Sequence, residues 1–558
     1  MKKAFFHRIN PFLLSFLMII SFCTHISIAK TSQTQDNNFF SNNLSLSEKD
    51  TLKNNFLSSS LNIADVLISN AQNDNISGVK WNKYFNYTGD LDSKYYSGYY
   101  YGAAGIGDYF TDLFNLTGNE TYLNMGIQAF EYINSQAIYN GKLYDSIFTK
   151  PGFVIWPKAE NNLNVYNGIK YGNAGISKFL FNLYLNTKNE TVLGLALDSL
   201  NTLVYRAIDA AATYEPTYNG IYWGYSPNKN QAFETPIADY IYGNAGIAST
   251  FLTAYDITNN VTYLDTAKEA ISWIISWSAV NDNTTSGERY IRFSPDPTYP
   301  FAFTGYLTGN SGIGDLLLQT YKITQNSDYL LFAKQLGNWL ISKEQNGLWP
   351  TGGADLLTGD INEAGSFTGY GAGSSGIGMF LMHLYSISKD SKYLNPINQI
   401  INMFKNNANV TADNLFLTTK IDPNEAPIYQ TDIKMGLAGD GLFFTELYHY
   451  FGTNESLIFL KGIFDFLESI KDSLGIIPTE FNNNYESYTR FDLSFLEGLT
   501  GIGFFFMNAF KSLNSSTLFN SNVLSNLDSV NSSIPGFEYL YFFVVSIILY
   551  LMKKKKKL

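Results

Sequence analysis

A short glycine-containing phrase recurs seven times in this chain of 558 residues, and its spacing constrains the fold more than any other feature. The phrase reads Gly-x-x-Gly, and successive first glycines lie between 62 and 71 residues apart. A period of this length is typical of a supersecondary unit that is copied many times. The first glycines of the seven phrases are Gly102, Gly172, Gly243, Gly309, Gly373, Gly436 and Gly498.

Each copy predicts the same local structure. Apolar residues follow the phrase at spacings of three and four, as at Ile106, Phe110 and Leu113, and this spacing places them on one face of a helix. A polar break precedes a second amphipathic helix, predicted over residues 122–133 in the first repeat. A short extended excursion, such as residues 220–223, completes the unit.

The glycines themselves favour close packing of the backbone at the helix entry. A helix N-terminus can also hold a phosphate, but no Lys-Ser/Thr pair follows the last glycine of any phrase, so the phosphate-loop pattern is incomplete. Because seven copies argue for architecture, we interpret the phrase as a packing device.

The number of helices predicts how the repeats assemble. An amphipathic segment at residues 58–71 precedes the first phrase, so the chain supplies fourteen helices, or seven pairs. An open solenoid would need polar caps at both ends, yet the last phrase helix, at 504–510, remains apolar. The sequence therefore predicts an all-α fold, a closed double-layered (α/α)7 toroid with one helix of each pair inside and one outside.

The seven phrases in register resemble the lanthionine synthetase C-like (LanC-like) family, over residues 61–511. The resemblance implies an (α/α)7 toroid, and glycosidases of the six-hairpin type share a related architecture. For the family's cyclases it also implies a zinc ion held by two cysteines and a histidine, one and two positions before the first glycine of two late phrases.

This chain departs from the cyclase pattern. The expected ligand positions hold Gly371, Ala372, Lys434 and Met435, none of which ligates zinc in the usual way. Cys23 is the single cysteine of the chain.

The cyclase acid–base histidine has no counterpart either, because no histidine occurs between His25 and His383. We therefore expect no metal, no cofactor and no zinc-dependent cyclase activity. His383 and His449 lie on phrase helices among Leu and Tyr, and a structural role is the simpler interpretation of both.

The two ends of the chain predict a secreted protein tethered to a membrane or cell surface. Residues 1–29 have a basic start, an apolar stretch and small residues before a cleavage point, as a signal peptide does. Asn/Ser-rich linkers at 30–57 and 512–534 flank the toroid, placed at 58–511. Residues 535–558 run from Pro-Gly-Phe through a short apolar stretch to five lysines, which resembles an archaeal PGF-type sorting signal. The alternative is a simple C-terminal membrane anchor.

Charge and composition narrow the range of partners. The net charge is −11 and no basic stripe occurs outside the C-terminal tail, which argues against a nucleic-acid partner. Aromatic residues make up 16% of the chain, more than enough to place tyrosines and tryptophans at a toroid rim. Such a rim suits a glycan or a peptide ligand. The Asn-x-Ser/Thr sequons fit a glycoprotein because the chain is predicted to be secreted. Their number alone does not indicate glycosylation.

Departures from the repeat give the candidate catalytic residues. Four residues before the first glycine, most copies have glycine, whereas the third and sixth have Asp239 and Asp432. In a seven-membered ring these repeats lie nearly opposite each other, so the two carboxylates can face one cavity. Glu497, directly before the seventh phrase, is the third candidate. The alternative for both aspartates is that they cap backbone N–H groups of a turn.

Further candidates for ligand binding lie in the excursions and next to the phrases. They are Glu234, Glu363, Tyr101, Tyr171, Tyr242, Trp223 and Trp349.

Three functions fit this pattern. The first is binding of a glycan or peptide at the toroid mouth without chemistry. The second is a carbohydrate-active enzyme with rim carboxylates, which requires two carboxyl groups roughly 5 to 10 Å apart in an open cleft. The third is a structural surface module, for which the mouth would be plugged.

Overall fold

The computed structural model describes residues 43–516 apart from short gaps, so the predicted signal peptide and C-terminal anchor lie outside the described residues. The gaps are 75–76, 86–94, 140–141, 144–145, 148–151, 161, 214–217, 226–235, 281–286, 297–300, 351–353, 356–365, 411–414, 422–428, 473–474 and 482–490.

Fourteen long helices make up most of the described chain. They are α1 Leu46–Ser69, α2 Ala103–Thr117, α3 Glu120–Ser135, α4 Asn173–Thr187, α5 Glu190–Arg206, α6 Asn244–Thr258, α7 Val261–Ser276, α8 Asn310–Thr324, α9 Ser327–Ser342, α10 Ser374–Ser388, α11 Leu394–Asn407, α12 Leu437–Phe451, α13 Asn454–Ser469 and α14 Leu499–Leu513. A single helical turn, Ala210–Thr213, and a 3-10 turn, Ser391–Tyr393, complete the helical elements of this part of the chain.

The helices form two concentric layers. The even-numbered helices, which begin at the phrases, are the inner ones: each contacts the next in order, and α14 contacts α2. Every inner helix from α2 to α12 also packs against the odd-numbered helix that follows it, and α14 packs against α1. The ring is thus closed and contains seven pairs, which confirms the predicted (α/α)7 toroid.

The phrase glycines allow the inner helices to enter the ring closely packed. A Cβ atom on Gly175 would overlap the carbonyl oxygen of Ile169 and would lie 2.8 Å from the Cβ of Tyr99 in the preceding repeat. Gly246 is confined in the same way, by the carbonyl oxygen of Tyr240 and the side chain of Ile169. The second glycine of a phrase therefore fits where no larger residue can.

The polar breaks between inner and outer helices supply helix caps. In the first repeat, Asn119 Oδ1 accepts a hydrogen bond from the backbone N–H of Thr121 at 3.0 Å. Asn189, Asn260 and Asn326 cap their outer helices in the same manner. These caps satisfy one of the open N–H groups of each helix start and fix where the second helix begins.

The excursions between the helix pairs are short antiparallel two-stranded ladders. The paired strands are Gln72–Asn73 with Val79–Lys80, Tyr84–Phe85 with Phe491–Asp492, Ile138–Tyr139 with Val154–Ile155, Lys142–Leu143 with Ser146–Ile147, Pro157–Ala159 with Asn162–Val165, Ile208–Asp209 with Ile221–Tyr222, Ala279–Val280 with Arg289–Tyr290, Phe301–Ala302 with Ala354–Asp355, Ser366–Phe367 with Lys420–Ile421, Ala408–Val410 with Leu415–Leu417, and Tyr429–Gln430 with Glu480–Phe481.

The first helix begins earlier than the sequence predicts. The linker was placed at 30–57, but α1 begins at Leu46, because Ser45 and Glu48 form a reciprocal capping box. The added turns belong to the toroid: Phe56 is fully buried, with its ring 4.9 Å from that of Phe464 on α13. The polar residues of this stretch, which predict a linker, form the exposed face of an outer helix.

Within the described residues, no helix combines the length and apolar character needed to cross a membrane.

Candidate functional site

An aromatic floor crosses the ring axis. It consists of the residues three positions before each first glycine: Tyr99, Ile169, Tyr240, Tyr306, Tyr370, Ile433 and Phe495. Five of the seven are aromatic, and neighbouring aromatic rings contact each other, with centroids 4.6 Å apart for Tyr306 and Tyr370 and 5.3 Å apart for Tyr99 and Phe495. We call the side of the toroid that carries the phrases the mouth, and the space between the inner helices, which Tyr99, Tyr240 and Tyr370 help to line, the lumen.

Glu497 lies at the centre of a cluster on the mouth side. Its Oε1 accepts hydrogen bonds from Tyr101 Oη at 2.5 Å and from Lys434 Nζ at 3.0 Å. Its Oε2 lies 3.2 Å from Lys83 Nζ. The side chains of Glu497 and Lys434 remain 27% and 32% exposed, so the cluster is reached from solvent.

Lys83 joins Glu497 to a second, deeper carboxylate. Its ammonium group lies 3.2 Å from Asp492 Oδ2 as well as from Glu497, and both Lys83 and Asp492 are buried. Burial lowers the pKa of Lys83, but the two carboxylates outweigh burial and raise it above its usual value. Lys83 therefore stays charged in a largely water-free position, held there by strands that close the ring.

Lys170 sits among tyrosine rings. Its Nζ donates to Tyr242 Oη at 2.8 Å and lies 4.7 Å from the ring centroid of Tyr101 and 5.2 Å from that of Tyr171. Lys158 approaches the Tyr171 ring as well, at 4.7 Å. Ammonium groups over aromatic faces are stabilised by the ring quadrupole, more strongly where water is excluded.

The lysines of this mouth cluster shift one another's pKa and that of Glu497. Burial lowers the pKa of Lys170 to about 8, and repulsion from Lys434, Lys83 and Lys158 adds to the shift although Glu497 opposes it. Burial alone would raise the pKa of Glu497, yet Lys434 and Lys83 hold it at about 2. Among the described residues, Lys83, Lys170 and Lys434 thus surround one ionised glutamate, and Lys158 lies beside Tyr171.

The structure brings together four of the predicted site residues: Glu497, Tyr101, Tyr171 and Tyr242. All four lie one position before the first glycine of their phrases, in repeats seven, one, two and three. The ring closure makes repeat seven a neighbour of repeat one, which is why residues far apart in the chain share one site.

Asp239 and Asp432 cap turns and do not project from the rim into solvent. Asp239 Oδ1 accepts from the backbone N–H of Tyr242 at 2.7 Å, and Asp432 Oδ1 accepts from that of Met435 at 2.8 Å. They are 1% and 6% exposed. Burial raises the pKa of both to about 7, although the backbone N–H groups oppose the shift. The interpretation of these residues as an exposed catalytic pair is therefore corrected to that of buried turn caps.

The two tryptophans proposed for ligand binding belong to the core. Trp223 and Trp349 are each 1% exposed. Their indole N–H groups donate to the carbonyl oxygens of Leu203 and Leu340, both at 2.7 Å. They anchor the excursions to the outer helices and offer no surface to a ligand. Glu234 and Glu363 lie outside the described residues.

The sequence analysis missed the lysines that surround Glu497. Lys170 and Lys434 occupy the second position before the first glycine in repeats two and six, where the other copies have uncharged residues. The alignment that singled out Asp239 at another position would have found them. Lys83 and Lys158 lie in the excursions and have no such signal.

The residues at the cyclase ligand positions do not fit a zinc ion. Gly371 and Ala372 offer no side-chain donor, and the Lys434 ammonium group is paired with Glu497. Met435 supplies only a thioether, which is not among the usual zinc ligands. We derive no zinc-dependent step at this site.

A search of curated protein sequences finds no match. Among solved structures, the chain is similar to a family 76 glycoside hydrolase from a bovine Bacteroides thetaiotaomicron strain, at 14% identity over 83% of this chain and 78% of that one, with a TM-score of 0.45. It is also similar to a sugar epimerase from a ruminal bacterium, at 11% identity over 86% and 98% of the two chains, with a TM-score of 0.47. The family model of the lanthionine synthetase C-like protein matches residues 219–415, so the chain is similar to that family over its third to fifth repeats.

Proposed function

We propose that the mouth cluster binds an acidic saccharide, one that bears carboxylate or other anionic groups on its rings. The observation that carries this proposal is that three lysines surround Glu497, while a fourth lysine, Lys158, joins Lys83 and Lys170 at the faces of three tyrosines. Lysine ammonium groups supply charge-assisted hydrogen bonds to an anion. Tyrosine rings supply the flat apolar surface against which a sugar ring packs.

The cluster is hard to explain as packing alone. Bringing ammonium groups of the same sign into a half-buried region costs free energy, and the lowered pKa of Lys170 reflects that cost. Perturbed ionisable groups of this kind concentrate at functional sites. An anionic ligand would offset the repulsion among these lysines. A purely structural surface module would have no use for that repulsion.

Binding without hydrolysis suits the rim better than an acid–base reaction does. Glycoside hydrolysis requires one carboxyl group that is protonated near neutral pH and a second that is ionised. Glu497 is held ionised by Lys434 and Lys83, while Asp239 and Asp432 are buried caps. The described rim thus offers no acid partner for Glu497.

Removing the Lys434 charge should weaken binding of oligogalacturonate at least about tenfold, because a charge-assisted hydrogen bond is worth roughly 1.5–3 kcal/mol. The measurement is isothermal titration calorimetry on full-length wild type and Lys434→Met. Lys268→Met, an exposed lysine on the outer helix α7, is the matched control and should bind as wild type does. The methyl ester of the same oligosaccharide should bind weakly to all three proteins.

Three results would contradict the proposal. Equal affinity for the acid and its methyl ester would remove the role of charge. Binding of an acidic peptide such as oligoglutamate in preference to the saccharide would assign the mouth to peptides. Absence of any binding would leave the toroid as a structural module.

We also propose that the toroid works outside the cell and is tethered through its C-terminal segment. The proposal is supported by the signal-peptide pattern and by the apolar stretch and lysines at the C-terminus. Deleting residues 535–558 should release the protein into the medium, as seen by immunoblotting of cell and medium fractions. Retention of the truncated protein in the membrane fraction would show that the N-terminal segment is the anchor.

A further inference from the structure

The lumen on the far side of the aromatic floor contains a cavity of about 790 Å³. Tyr99, Tyr240 and Tyr370 lie at its base, while His449 and Ser515 lie at the C-terminal ends of the inner helices. Cavities of several hundred cubic ångströms are the usual size for small-molecule sites. A smaller cavity of about 250 Å³ adjoins it and shares Tyr240.

A ring of inward-facing polar residues lines these cavities. At the tenth position after the first glycine, all seven inner helices carry a polar residue, and each of the seven lines one of the two cavities. The seven are Asp112, Asn182, Thr253, Gln319, His383, Glu446 and Asn508. A space filled only for packing would be lined by apolar side chains, because polar groups lose hydration on burial. The polar ring points to a space built to hold hydrogen-bonding groups.

A carboxylate pair lies on one wall of the lumen. Asn182 Nδ2 donates to Asp108 Oδ1 at 2.7 Å and to Asp112 Oδ1 at 3.0 Å. The two carboxyl groups therefore lie within hydrogen-bond distance of the same nitrogen atom. Tyr99 Oη donates to Asp108 Oδ2 at 2.5 Å. Burial, and then the charge of Asp112, raises the pKa of Asp108 to about 6, against the opposing effect of Lys178.

A second polar group lies on another wall. His383 Nδ1 lies 2.9 Å from Asp315 Oδ1, and its Nε2 lies 3.9 Å from Glu446 Oε2. Burial lowers the pKa of His383, but the two carboxylates outweigh burial and raise it. The described lining of the two cavities carries four carboxyl groups, three lysines and two histidines, so neither acidic nor basic side chains predominate.

We propose that the lumen is a second ligand site, separate from the mouth, which holds a neutral saccharide of one or two rings. The aromatic floor provides a stacking surface for a sugar ring. The Asp108–Asp112 pair and the polar ring provide acceptors and donors for its hydroxyl groups. The balanced charge of this lining favours an uncharged ligand, whereas the lysine-rich mouth favours an acidic one.

The test is titration of the full-length protein with maltose, cellobiose and xylobiose, followed by saturation-transfer difference NMR. At least one of them should bind the wild type at millimolar concentration or below. Asn508→Leu, which replaces one amide of the polar ring by an apolar side chain, should weaken binding at least about tenfold. Asp112→Asn keeps the shape of the side chain and tests the same wall if the first variant does not fold. Lys434→Met, at the mouth, should leave disaccharide binding unchanged.

Failure of all three disaccharides to bind would overturn the proposal, as would binding that survives both lumen variants. Loss of disaccharide binding in Lys434→Met alone would move the neutral ligand to the mouth. The oligogalacturonate titration reports on the mouth independently, so the two sites can fail separately.

Discussion

Replacing Gly175 by alanine is expected to lower the free energy of unfolding by more than about 4 kcal/mol, or to prevent folding altogether. The added Cβ would overlap the carbonyl oxygen of Ile169 and press against Tyr99, both in the floor that joins neighbouring repeats. Neither neighbour is the free end of a flexible side chain, so relief requires movement of the backbone. Urea denaturation followed by circular dichroism measures the effect.

The matched control is Gly194→Ala on the outer helix α5. A Cβ on Gly194 would have no atom within 4 Å outside its own helix. Alanine there should stabilise the protein by about 0.5–1 kcal/mol, because it restricts the unfolded chain and suits a helix interior. If both substitutions change stability by similar small amounts, the floor does not confine the phrase glycines as described.

The free energy of unfolding is expected to fall as the pH rises from about 4 to about 7. Burial raises the pKa of Asp440 from 3.8 to about 7, although Ser375 and Thr368 donate hydrogen bonds that oppose the shift. Asp239 and Asp432 are raised to about 7 as well. The folded state holds these protons more tightly than the unfolded chain does. Each carboxyl group therefore lowers the free energy of unfolding by up to about 1.4 kcal/mol for every pH unit between pH 4 and pH 7.

Asp440→Asn should flatten part of this dependence, since an amide of the same shape does not ionise. The variant should match the wild type near pH 4 and exceed its melting temperature near pH 8. Asp265→Asn, on the exposed face of α7, makes the same change of charge at the surface and should keep the wild-type profile. If the free energy of unfolding of the wild type rises between pH 4 and pH 7 instead, burial does not raise the pKa of these carboxyl groups as described.

The architecture could be predicted from the sequence because it depends on a periodic feature. Each phrase specifies a helix start, and the spacing of Ile106, Phe110 and Leu113 specifies which face is buried. Seven copies and one leading helix give seven helix pairs, which favours a closed ring. The start of α1 was missed because Ser45 and Glu48 signal a cap only weakly within a segment rich in Asn and Ser.

The site was harder to predict, for a different reason. An aspartate such as Asp239 that caps a turn and one that faces a ligand have the same sequence signature, and only burial separates them. Tyr101, Tyr171 and Glu497 were found through their fixed position beside the phrase. Lys83 was missed because its role depends on a strand pairing between the two ends of the ring, which no local pattern encodes.

That pairing has a consequence for how the protein is made. The strand Tyr84–Phe85 pairs with Phe491–Asp492, and α1 packs on α14, so the first and last segments of the ring depend on each other. A chain emerging from the ribosome or a translocation pore cannot complete α1, the floor at Tyr99 or the Lys83–Asp492 ion pair until its seventh repeat has appeared. Contacts between such distant segments form late and slowly. Until then the surfaces of the first repeat that pack against α14 lack their partner.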